Sequence, residues 1–125
     1  MYILTIMMWD GIDQRKFPRA KHKCRINIRR GEKDELVETF TENIGAGGVC
    51  VVVDRAFEIF DNVKLELHIA DGSEPINCNG TIVWVVRRHP VRGENIMEFD
   101  TGIEFADISE GDRSRVSRLV DSLLK

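Results

Sequence analysis

The 125-residue sequence has little of what catalytic and metal sites are made from. Its three histidines, His22, His68 and His89, are dispersed, with no HxxxH or HExxH spacing. Its three cysteines, Cys24, Cys50 and Cys78, are far apart and form no CxxC pair. That excludes a disulfide framework and a structural zinc site, and reduced thiols placed in strands are expected. No serine sits in GxSxG, and no nucleophile is paired with a base, so an enzyme is not expected. No apolar run approaches the roughly 20 residues of a membrane span. The N-terminal MYILTIMMW covers only nine residues and is followed by Asp10-Gly11, unlike a signal peptide. It reads as a short strand, a docking segment or a homodimer contact, or as a translation start placed too early, with Met7 or Met8 as candidates. Low-complexity segments and internal repeats are also missing.

Charge of one sign is missing from one stretch. The whole chain carries 18 basic and 21 acidic residues, a net charge of −3, which does not suggest a general nucleic-acid binder. From Gln14 to Arg30, however, there is no carboxylate, while Arg15, Lys16, Arg19, Lys21, Lys23, Arg25, Arg29 and Arg30 are all present. The remainder holds 10 basic against 21 acidic groups. A chain polarised in this way attracts a compact anion to one place and repels long polyanions elsewhere.

The hydrophobic pattern is mostly of period two. His22, Cys24, Ile26 and Ile28 alternate with basic and polar residues, which predicts one strand with a basic outer face. Residues 35–42, 49–54, 62–70, 76–86 and 96–106 read as further strands. Gly80 is read as a bulge or bend, and Thr101-Gly102 as a second bend. Residues 10–19 read as an arm, because Asp10-Gly11 breaks structure and Pro18 keeps Phe17 out of the helical region. At the end the period changes. Ser109 is an N-cap candidate, and Val116, Leu119, Val120, Leu123 and Leu124 form a stripe at helical spacing. So many strands in so short a chain are best buried by closure. The expected class is all-β: a six-stranded antiparallel β-barrel with a C-terminal α-helix, residues 1–13 forming an extension and 14–125 the domain.

Two short motifs stand out. In RKFPR, Arg15 and Arg19 are four apart in a segment that Pro18 keeps from being helical. Guanidinium is a planar fork that matches phosphate oxygens and the O6/N7 edge of guanine, and it stacks on purines. In NIGAGG, residues 43–48, Asn43 offers an amide, and Gly45, Gly47 and Gly48 allow positive φ and close approach to a bare backbone. The run is not a P-loop, since no Lys-Ser or Lys-Thr follows and a strand comes next. Each motif alone is ordinary as a basic linker or a hairpin turn. Together, an arm lying across a glycine turn would suit an anionic, guanine-bearing ligand.

In this order and spacing, RKFPR and NIGAGG resemble the two-part signature of the PilZ domain, an RxxxR arm followed by a [DN]xSxxG turn. The Trp84 strand, GIEFADIS at 102–109 and the closing helix extend the likeness over roughly residues 14–124. The resemblance implies a six-stranded barrel that binds cyclic di-GMP. It implies that Arg15 and Arg19 grip guanine and phosphate, and that Asn43, Gly45 and Gly48 line the turn, without metal or other cofactor. One position departs: Gly45 stands where the pattern has Ser. One hydrogen bond is worth about 0.5–1.5 kcal/mol, so its loss predicts several-fold to about tenfold weaker binding, with water filling the space and Gly45→Ser restoring affinity.

The resulting expectation is a cytoplasmic cyclic di-GMP receptor that engages a protein partner in motility, pilus or exopolysaccharide control, with no long nucleic acid bound and no membrane insertion. Its competitor is an adaptor of the same fold that no longer binds nucleotide and acts through protein contacts. An oligonucleotide-binding small barrel is disfavoured by the acidic remainder and the lack of several exposed aromatics.

Overall fold

A computed structural model describes residues 18–31, 35–90 and 96–125. Arg15, the 1–13 extension and most of the arm lie outside the described residues. The described chain folds as β1 (Arg19–Lys21), β2 (Arg25–Arg30), β3 (Glu35–Gly45), β4 (Gly48–Val53), β5 (Asn62–His68), β6 (Ile76–Arg87), β7 (Phe99–Phe105) and a helix α1 (Glu110–Leu124). All pairings are antiparallel. Around the wall the order is β2, β3, β4, β7, β6, β5 and back to β2, a closed six-stranded barrel, with β1 added to β3. The expected architecture is therefore the one observed.

Closure gives every barrel strand an inner face. Ile26, Ile28, Ile44, Val49, Val51, Leu67, Ile76, Ile82 and Ile103 are wholly buried there. Each such side chain contributes about 1.5–3 kcal/mol relative to exposure, which is why the period-two pattern fixes the register.

The strand expected over residues 22–30 proves shorter, with β2 starting at Arg25, and a further strand, β1, lies before it, beginning at the end of the segment expected to be the arm, the two joined by a slip over residues 22–24. β1 meets β3 with Arg19 opposite Gly45, and β2 meets the same strand one residue out of that register, with Arg25 opposite Phe40. Thr41 splices the break. Its buried hydroxyl accepts from the Cys24 N–H (2.9 Å) and donates to the His22 carbonyl (2.7 Å). Arg19 thus belongs to a strand, not to the arm.

Two further expectations are corrected. The irregularity in β6 falls between Ile82 and Trp84 rather than at Gly80. Gly80 is there for packing: a Cβ would stand 2.7 Å from Ile103 Cγ2 and 2.8 Å from Leu65 Cδ1. The β4–β7 ladder runs unbroken through Thr101 and Gly102, and the irregularity of the β6–β7 ladder lies opposite Gly102 and Ile103. In α1, Ser109 caps the helix by accepting from the Asp112 N–H (3.1 Å), as expected. Val116 and Val120 are buried, but Leu123 and Leu124 are exposed, because the last turn runs past the barrel. The helix packs on β1 and β3. It is clasped to the β5–β6 turn by Arg115, which donates to both Asp71 carboxylate oxygens (2.7 and 2.9 Å) and to the Glu74 carbonyl (2.8 Å).

Candidate functional site

The end of the first motif, Pro18-Arg19, meets the second on the outside of the wall. β3 extends through Asn43–Gly45, Ala46 and Gly47 make a two-residue turn, and Gly48 opens β4. Because β1 pairs with β3, Arg19 lies opposite Gly45, and Lys21 opposite Asn43. The Arg19 Nη2 donates to Asn43 Oδ1, joining residues 24 apart in the chain. Of the five residues expected at the site, Arg19, Asn43, Gly45 and Gly48 are brought together; Arg15 lies outside the described residues.

Register extends the site beyond the motifs. Gly45 pairs with Gly48, and Gly48 with Glu104, so one outward row runs Arg19, Gly45, Gly48, Glu104. The next outward row runs Lys21, Asn43, Cys50, Gly102, Trp84. Phe105 is in the core, and Trp84, on the outer side of the wall, is itself buried over Gly102, where a Cβ would overlap the indole. Lys21 could have been suspected from its place two residues after Arg19. Trp84, Gly102, Cys50 and Glu104 carry no local signal; only the β4–β7–β6 register places them beside the hairpin.

The glycines act otherwise than expected. Among the described residues, Gly31 and Gly72 are the glycines with positive φ, and those of the hairpin are not. Gly45 and Gly48 sit inside the ladder and are buried, not displayed as a loop of free donors. What they supply is close approach. A Cβ at Gly48 would overlap the Ile103 carbonyl oxygen, so this glycine lets β7 lie against the hairpin. A Cβ at Gly45 would stand 2.9 Å from both the Pro18 carbonyl oxygen and Arg19 Cγ. The space a serine Cβ would need at this position is thus closely bounded by Pro18 and Arg19.

Cys24 and Cys78 form no disulfide, and burial raises Cys24 and pushes Cys78 up to about 11, the latter helped by Asp107 and Asp112. These two thiols are protonated at neutral pH and poor nucleophiles. Among the described residues no three His, Cys, Asp or Glu side chains are grouped to hold a metal. No described helix is long and apolar enough to cross a membrane.

A small closed barrel, with an arginine strand laid over an asparagine–glycine hairpin and a capping helix, defines the class. The sequence matches the PilZ domain over residues 13–122, and the chain belongs to that family. The fold is similar to that of MotI/DgrA, the Bacillus subtilis inhibitor of motility (TM-score 0.70, 17% identity, covering 86% of this chain and 49% of that one). It is similar to the PilZ domain of Escherichia coli YcgR, solved with c-di-GMP (TM-score 0.68, 13% identity, 89% and 92%). It also resembles MrkH of K. pneumoniae (TM-score 0.70, 16% identity, 85% and 47%). The chain spans about half the length of MotI and MrkH and nearly all of the YcgR domain. No curated protein matches the sequence.

Proposed function

We propose that this chain is a cyclic di-GMP receptor that signals through a protein partner rather than by catalysis. The observation that carries it is the seating of Arg19 on Asn43 and over Gly45, which unites the two halves of the PilZ signature on one wall. Arg19, with Arg15 from the preceding arm, would supply guanidinium forks to guanine and phosphate. Asn43 would orient Arg19 or take up a ligand hydrogen bond itself, and Gly45 and Gly48 would keep the floor low. Ligand capture would act on β1, which touches α1 as well as β3, so the signal would pass to the helix and the arm and be met by a cytoplasmic partner. Support also comes from the solved likenesses, of which the YcgR domain was seen with c-di-GMP and MotI is an inhibitor of motility.

Isothermal titration of cyclic di-GMP tests this. Wild-type protein should release or take up heat at micromolar ligand, and Arg15→Ala and Arg19→Ala should each weaken binding by about 10–100-fold, the worth of a charged hydrogen bond. Binding unchanged in both variants would show that the grip is elsewhere. Absence of heat from the wild type up to high micromolar ligand would favour the second reading, an adaptor without nucleotide. That reading is favoured by Gly45, whose missing side chain has been replaced by contact with Pro18 and Arg19.

A further inference from the structure

At the far end of the β4–β7 pair, five register steps or about 17 Å from Gly48, the barrel presents a different surface. β5 stops pairing with β6 at Asn62 opposite Thr81, while β6 continues to Arg87. Residues 60 and 61 extend the cover by one step, with the Phe60 N–H donating to the Ile82 carbonyl (2.7 Å) and the Ile82 N–H to Asp61 (2.9 Å). Beyond that point no strand among the described residues lies on this side of β6. The Arg88 N–H donates to the Glu98 carbonyl (2.8 Å), so residues 84, 86 and 88 bond toward β7. The N–H and C=O groups of Val85 and Arg87 therefore point outward along an open edge.

Beside this edge lies a groove of about 630 Å³ whose lining is mostly apolar (Phe57, Ile59, Val85 and Phe99 among others) with two charged residues, Glu58 and Arg87. Its floor is braced: Phe57 is buried, and Arg30 lies 5.6 Å from the Phe57 ring centroid. Next to the lining residue Ile59, Phe60 is held at φ 75° and the residue is 78% exposed. A bulky residue in the left-handed region is strained, and this one gains no core packing in return. Arg87, at the open end, is exposed and makes no ion pair among the described residues.

We propose that this edge and groove are a β-addition site for a partner protein, which inserts an extended segment antiparallel to β6. Alternate apolar side chains of that segment would fill the groove beside Phe60, and a carboxylate would meet Arg87. The open backbone groups select an extended occupant, the mostly apolar lining selects its alternation, and the exposed guanidinium of Arg87 selects its charge. The site is separate from the nucleotide wall and does not rest on cyclic di-GMP binding.

The probe is a phage-displayed library of random peptides, selected on the whole chain without nucleotide. Selected peptides should alternate apolar residues and carry an acid. Titrated into isotope-labelled protein, they should shift and protect the Val85 and Arg87 amides. Val85→Pro removes an outward donor without touching the β7 ladder, and should weaken these peptides at least about tenfold. Phe60→Gly should weaken them too, while raising the melting temperature by about 2–6 °C through relief of the left-handed strain. Peptides without alternation, peptides that bind Val85→Pro as tightly, or a failure to select any would overturn the proposal. So would concentration-dependent dimerisation that protects the same two amides, which would make the occupant a second copy. The calorimetric test of the nucleotide wall stands or falls independently of all these.

Discussion

The two ends of the β4–β7 pair make opposite use of the same barrel. At the Gly48 end, three glycines (45, 48 and 102) let strands and an indole close on one another, and charged side chains stand on the rim. At the Val53–Phe99 end, side chains are large and apolar, a strand edge is open, and an aromatic ring is held in solvent. The first end is tight and polar, suited to a small anion that must be gripped by a few groups. The second is open and apolar, suited to a polymer that brings its own backbone. A barrel can carry both because closure satisfies the ladder all round and leaves only the strand ends free to differ.

The sharpest way to break the comparison is Gly48→Ala. The new methyl has no space beside the Ile103 carbonyl, and backbone cannot move aside as a side chain can. A loss of about 3 kcal/mol or more is expected in urea unfolding. A loss below about 1 kcal/mol would show that the tight end is looser than described. Next comes Arg19→Ala, for which the expected effect is on ligand rather than on stability: the calorimetric loss given above with a melting temperature nearly unchanged. A large drop in melting temperature would mean that Arg19 mainly holds β1 in place.

Gly45→Ser sharpens the comparison. From the sequence, the added hydroxyl should tighten nucleotide binding. In the free protein the substitution has a second effect, because the new Cβ must push back Pro18 and Arg19. Hydrogen exchange at Ala20 and Lys21 should speed up and stability should fall by about 1 kcal/mol. Tighter binding with β1 protection intact would show that the strand accommodates serine. Of similar size is Ser109→Ala, which leaves the Asp112 N–H uncapped and should cost about 1 kcal/mol at the helix that touches β1.

The smallest effect concerns the clasp between α1 and the β5–β6 turn. The Arg115 guanidinium holds Asp71 down to about 2. A carboxylate depressed on folding stabilises above its unfolded value, near 3.9, and that contribution is lost as pH falls through about 2. Melting temperature should therefore fall between about pH 4 and pH 2, and Asp71→Asn should flatten that part of the profile. Because the pair is exposed, the difference should be slight at neutral pH and smaller at high salt.

Much was legible beforehand, for a local reason. Ile26 and Ile28 announce a strand by alternation, Ser109 announces a cap by its chemistry, and Arg19, Asn43 and Gly48 announce a family signature by their spacing. The outward position of Trp84 was not legible, because a one-residue irregularity between Ile82 and Trp84 changes which face a side chain takes. The split between β1 and β2 was hidden for a similar reason: it depends on Thr41, seventeen residues from Cys24.

By itself, then, the sequence determined the strand content, the single core, the basic concentration near the N-terminus and the pair of motifs, since each is written in neighbouring residues. Only the tertiary structure decided what surrounds the glycines and what is left open on β6. Those are matters of register and approach between strands distant in the chain, and no local pattern records the distance from Gly45 to Pro18 or the point at which β5 stops covering β6.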